Sequence, residues 1–97
     1  MLLTTVILTI EEARDAVRLD GPDNDIVLIP LLTAIPAYLE VTTGKDWDTT
    51  PIHPLAQTAA IFILQLWYDP QDKDTDRLKA TINGLLIALT AIGRVVV

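Results

Sequence analysis

The chain contains no cysteine and no serine. The first absence excludes disulfides, thiolate metal sites and cysteine nucleophiles. The second removes serine-hydrolase chemistry. Only four glycines are present, each isolated, so no glycine-rich phosphate loop can form. Histidine occurs once, as His53 within Pro51-Ile52-His53-Pro54. A lone histidine at a helix start, with no nucleophile signature beside it, reads as a structural or solvated group rather than a catalytic one. Basic residues are also scarce: seven Lys and Arg against 13 Asp and Glu, for a net charge of −6. They are scattered singly, whereas a nucleic-acid binder needs a basic face to displace counterions from phosphates. The expectation is a protein that is not an enzyme, holds no cofactor or metal, and does not bind DNA or RNA tightly.

What is present is apolar surface. Of 97 residues, 51% are hydrophobic, the mean hydropathy is +0.40 and the isoelectric point is near 4.4. The length suits one domain, residues 1–97, that buries roughly 64% of its extended-chain surface. Such a small interior cannot hold all of these side chains, and large exposed apolar patches mark interaction sites. No targeting signal is expected, because Met1 to Ile10 lacks a basic flank and runs directly into Glu11 and Glu12. Thr49 to Tyr68 carries no charged residue, but it includes Pro51, His53, Pro54, Gln57 and Gln65. Its continuous apolar core is too short for a membrane span.

The pattern predicts an all-α fold, a small bundle of about four helices with a flexible N-terminal arm and a C-terminal tail. Residues 1–8, rich in Leu, Val, Ile and Thr, favour an extended arm. Thr9-Ile10-Glu11-Glu12 is a capping box that opens a first helix, Ile10 to Arg18. It ends before Asp20-Gly21-Pro22-Asp23, a turn signal. A second helix, capped by Asp23 or Asn24, carries Leu28, Leu31/Leu32, Ile35 and Tyr38/Leu39 at helical spacing and stops at Gly44. Pro30 and Pro36 fall inside it and predict a kink, or a break into two pieces.

Lys45 to Thr50 is a loop holding Trp47. A third helix, Pro54 to Tyr68, is apolar nearly all round, which means burial on several sides. Asp69-Pro70 ends it. The fourth, from Thr75 or Asp76 to Ile92, places Leu78, Ile82, Leu85, Leu86 and Leu89 on one face and is closed by Gly93. Val95 to Val97 form a short tail.

Three acidic groupings invite a chemical reading. Counting from Asp72 puts acids at positions one, three and five of an EF-hand loop, but Arg77 stands where glycine belongs and Asn83 at the twelfth position. The run Asp69, Asp72, Asp74, Asp76 is therefore a solvated loop, and Asp20, Asp23 and Asp25 are turn and cap. Asp46 and Asp48 flank Trp47 without the desolvated cleft that acid–base work requires.

The order of segments is more specific than any one of them. Leu8-Thr9-Ile10-Glu11-Glu12-Ala13 leads to Val17-Arg18-Leu19-Asp20 and Asp23-Asn24-Asp25-Ile26. Then follow Tyr38-Leu39-Glu40, Thr43-Gly44-Lys45-Asp46-Trp47, the proline-led Pro54-Leu55-Ala56-Gln57-Thr58-Ala59-Ala60, Leu66-Trp67-Tyr68-Asp69, Ile82-Asn83-Gly84-Leu85-Leu86 and Arg94. This series, spanning nearly the whole chain, resembles the head–tail connector (adaptor) proteins of tailed bacteriophages and prophages, also described as DNA-packaging proteins. The second helix departs from the pattern, with Pro30, Pro36 and uncharged residues where members usually place Glu, Lys or Arg.

The resemblance implies an all-α subunit of a ring below the portal, with no catalytic residues and no cofactor. Its implied partners are the portal protein, neighbouring copies of itself and a downstream tail-completion protein. DNA would pass through the channel without specific binding, and no membrane is involved. It implies a place in the virion at the head–tail joint, and in the host cytoplasm before assembly. A ring needs a heterologous contact between neighbours, and the candidate interface residues are Leu28, Leu32, Ile35, Trp47, Ile63, Trp67 and Tyr68. The alternative is a general helical protein–protein interaction or regulatory module.

Overall fold

The computed structural model describes residues 6–69 and 75–95. Four α-helices follow in order: α1 (Ile10–Ala16), α2 (Asp25–Thr43), α3 (Pro54–Tyr68) and α4 (Thr75–Val95), with a single 3-10 turn, Pro22–Asn24, leading into α2. No strand occurs among the described residues, and the all-α expectation holds. The helices form a slab of 42 × 35 × 18 Å. α3 is the most enclosed helix: from Leu55 to Tyr68 only Thr58 is exposed. α3 is the central element, packed on α4, α2 and α1.

Helix α1 starts where the capping box predicts. The Thr9 hydroxyl accepts the Glu12 N–H at 3.1 Å, and a Glu12 carboxylate oxygen accepts the Thr9 N–H at 2.9 Å. It ends two residues short of Arg18. The Leu19 N–H donates to the Arg14 carbonyl (2.8 Å) and the Arg18 N–H to the Asp15 carbonyl (3.2 Å). This is a Schellman closure that needs a left-handed residue, and Arg18 supplies it at φ 62°.

Helix α2 is not broken. It runs without interruption through Pro30 and Pro36 to Thr43, and Gly44 closes it at φ 84°. Each proline costs about 3 kcal/mol in a helix interior. Burying Leu28, Leu32, Ile35 and Leu39, at about 1.5–3 kcal/mol per side chain, offsets both. Neither Asp23 nor Asn24 caps the helix by its side chain. Asn24 instead donates through Nδ2 to the Tyr68 hydroxyl at 2.7 Å, tying the α2 entrance to the end of α3.

Two further expectations need correction. Gly93 does not close α4, which continues to Val95. A Cβ at Gly93 would lie 3.5 Å from the Lys45 Cβ and 3.9 Å from the Trp47 ring, so the α2–α3 loop packs along this last turn and supports it. The N-terminal arm is not loose over its described part, Val6 to Leu8. Ile7 and Leu8 are core residues, and Asp48 accepts the N–H groups of Val6 (2.7 Å) and Ile7 (2.8 Å) through one carboxylate oxygen. The rest of the arm (1–5), Asp72 and Asp74 of the acidic run, and 96–97 of the tail lie outside the described residues.

A candidate interaction surface

Five of the seven candidate interface residues are inside the chain's own core. Leu28, Leu32 and Ile35 line the inward side of α2, Ile63 sits within α3, and Trp47 is only 4% exposed. They cannot meet a partner while the chain is folded. Trp67 and Tyr68 are partly buried. Trp67 meets the Tyr38 ring edge-on at 5.3 Å, and the Tyr68 hydroxyl receives Asn24. The helical spacing that singled out α2 was marking its covered side. The exposed side, Ile26, Pro30, Thr33, Ala37 and Val41, is also free of charge, so the absence of charge alone does not separate the two.

The open apolar surface is the opposite face of α2. At 100° per residue, Ile26, Pro30, Thr33, Ala37 and Val41 lie across the helix from Leu28, Leu32, Ile35 and Leu39. Ile26 is 82% exposed and Val41 84%. No charged side chain occurs from Ile26 to Leu39. The Thr33 hydroxyl donates to the Ile29 carbonyl at 2.9 Å, so even this polar group is satisfied within the helix. Among the described residues, Pro22–Thr43 is the one helical stretch long and apolar enough to cross a membrane, and 28% of its most apolar window is buried. Absence of charge from Ile26 to Leu39 was the signal available in the sequence.

The described residues also form two concavities. A groove of about 550 Å³ runs between α2 and α4, lined by Tyr38, Thr42, Leu86, Ile87 and Arg94 among others. Ile87 is 63% exposed. A cleft of about 470 Å³ lies between the α1 exit and the ends of α3 and α4, with Arg18, Gln65 and Asp69 on its wall. Gln65 is already engaged there, donating through Nε2 to the Ala16 carbonyl at 3.0 Å.

Several ionisable and polar groups have structural partners. Arg14 grips Asp25 with two parallel bonds, Nε to Oδ1 at 3.0 Å and Nη2 to Oδ2. The hydrogen bond from Arg14 holds the Asp25 carboxyl below its ordinary value of 3.8. The same bond raises the Arg14 guanidinium further above its own. His53 accepts the Leu55 N–H on Nδ1 at 3.1 Å and so caps α3, while its ring stands edge-on to Trp47 at 5.5 Å. Asp46 accepts the Asp48 N–H at 2.9 Å, so both acids beside Trp47 organise the loop. Among the described residues no three His, Asp or Glu side chains gather as a metal site, and no buried side-chain nitrogen or oxygen lacks a partner. What the described residues leave open is apolar surface, at Ile26, Val41 and Ile87 above all.

Set against known proteins, the chain matches no family model, no curated protein and no solved structure.

Proposed function

We propose that this chain is a structural subunit of the head–tail joint of a tailed bacteriophage or prophage, a connector that assembles in a ring below the portal and joins capsid to tail around the DNA channel. One observation supports an assembling role above the rest: α2 presents a face without charge, bounded by Ile26 and Val41, that the chain's own core does not cover. Surfaces of this kind are covered by protein partners. The groove beside Tyr38 and Ile87 offers a second, different patch, and a ring contact needs two unlike patches on each subunit. The acidic balance, net −6, suits a wall past which DNA must slide, because like charge repels phosphate. The proposed partners are the portal protein, neighbouring copies and a tail-completion protein. The site of action is the virion, after synthesis in the host cytoplasm.

The test is co-expression with the portal protein of the same phage or prophage, followed by native mass spectrometry and electron microscopy of the purified portal. The expected result is a complex carrying many copies of this chain as a ring on one end of the portal. A portal preparation that never retains the chain, from a gene neighbourhood without capsid and tail genes, would overturn the reading in favour of a general helical interaction module.

A further inference from the structure

We infer that the outer stripe of α2 pairs with the same stripe of a second copy of this chain, antiparallel about a two-fold axis. Ile26 and Val41, the two most exposed large hydrophobic residues, stand at the ends of the stripe, and Thr33, Ala34 and Ala37 occupy its middle. In an antiparallel pair, residues opposite one another add to a constant number. If Ile26 meets Val41 of the partner, the axis passes between Thr33 and Ala34. Bulky side chains then meet at both ends, about 22 Å apart, while short side chains at the centre let the backbones approach. A patch that complements itself in this way is what an isologous contact requires.

Charge selects the antiparallel arrangement over the parallel one. Glu40 is the only charged residue of α2 besides Asp25. A parallel pair would set Glu40 beside Glu40 of the other copy and align the two helix dipoles. The antiparallel pair sets Glu40 opposite Val27 in the first turn of the facing helix, at the positive end of its dipole. Asp25, the acid already at that end, is matched by Arg14. Ile26 at 82% and Val41 at 84% exposure are the large side chains the pair would cover, and a stable specific interface begins at about 1,200 Å² in total. An isologous contact closes at two copies, so on this face the pair and a ring contact exclude one another: the pair is the form of the free chain, and it does not rest on the head–tail reading.

The chain has no cysteine, which makes the register directly readable. Ala34→Cys places a thiol beside the axis, and Val41→Cys places one far from its own copy. Under mild oxidation Ala34→Cys is expected to cross-link to itself, Val41→Cys alone to remain uncross-linked, and Ile26→Cys/Val41→Cys to cross-link. Sedimentation equilibrium of the unmodified chain is expected to show twice the 10.7 kDa chain mass. Ala34→Glu, at an exposed site, is expected to keep its helical circular dichroism while the dimer weakens by about 100-fold or more, because two like charges meet at the axis. Ile87→Glu, off the stripe on α4, is expected to leave the dimer intact. The inference is overturned if the chain stays at the monomer mass at millimolar concentration, if Val41→Cys links to itself, or if Ala34→Glu dimerises normally. It is also overturned if Ile87→Glu abolishes the dimer, or if the chain floats with neutral phosphatidylcholine vesicles instead of pairing. Loss of portal binding without loss of the dimer would count against the head–tail reading alone.

Discussion

The surroundings of Trp47 and the outer face of α2 are neighbours in the chain and opposites in construction. Around Trp47, directed contacts join residues between Leu39 and His53 to one another and, through Asp48, to the N-terminal arm. The indole Nε1–H donates to the Thr43 hydroxyl at 2.8 Å, which donates in turn to the Leu39 carbonyl at 2.6 Å. Lys45 lies over the ring at 4.7 Å, His53 meets its edge, and Asp48 reaches back to the arm. On the outer face of α2 there are apolar side chains and almost nothing else. The first region fixes the chain on itself, and its polar groups record that purpose. The second leaves its hydrophobic surface to be covered from outside. A residue's hydrophobicity therefore does not tell which of the two tasks it serves, whereas the polar groups around it do.

The largest break in this contrast comes from emptying the first region. Trp47→Ala removes a buried indole and leaves the Thr43 hydroxyl without its donor. A loss of about 3–5 kcal/mol is expected, a large part of the total stability of a domain this size. Urea unfolding followed by helical circular dichroism would read it as a lower midpoint. A loss below about 1 kcal/mol would show that the loop is not part of the cooperative core.

Next in size is the tie to the arm. Asp48→Ala leaves the Val6 and Ile7 N–H groups without their acceptor and is expected to cost about 1–3 kcal/mol. Asp48→Asn, which keeps an acceptor oxygen, should cost less. Hydrogen exchange at the Ile7 amide gives the local reading: it should quicken in Asp48→Ala well before the α3 amides do. Equal acceleration throughout would mean that the arm and the bundle open as one unit.

The sequence was informative where local chemistry decides the outcome. The Thr9 and Glu12 capping box appears as two observed bonds, and α2 and α3 begin and end within a residue or two of their signals. It was silent where distant groups decide. Nothing in the spacing shows that Asp48 would meet residues 41 and 42 positions earlier, or that Asn24 would reach Tyr68 rather than cap its own helix. Gly93 reads as a stop, yet packing against Lys45 and Trp47 carries α4 past it. For the interaction surface the failure is specific. Leu28, Leu32, Ile35, Trp47 and Ile63 were chosen for being apolar, and those were the residues the core claimed. Ile26, Val41 and Ile87, which stay outside, became visible only once the sides of each helix were assigned.

The helix exits carry effects of about 1 kcal/mol and of opposite sign. Gly44 ends α2 at φ 84° with open space around it. Gly44→Ala is therefore expected to destabilise by about 1 kcal/mol through backbone strain alone. Arg18 ends α1 at φ 62° with a side chain that disfavours this conformation. Arg18→Gly is expected to stabilise by up to about 1 kcal/mol. Thermal melts of the two variants should move in opposite directions. Movement in the same direction would show that the Arg18 side chain contributes more than its backbone strain takes away.

The smallest effect is expected on the outer face of α2, and its size should depend on protein concentration. Val41→Thr exchanges a methyl for a hydroxyl of similar volume at a site 84% exposed. In dilute solution, where the chain is alone, the change should stay within about 0.5 kcal/mol, as for surface substitutions generally. Where copies pair, the folded state is stabilised by association and the melting temperature rises with concentration. Val41→Thr should flatten that rise while leaving the dilute melting temperature in place. Trp47→Ala should do the reverse, lowering the melting temperature at every concentration and leaving the slope unchanged as long as the variant folds. Two parallel sets of melts thus separate a residue that holds the chain together from one that serves the contact with a second chain. If Val41→Thr lowered both curves equally, the outer face would belong to the core after all.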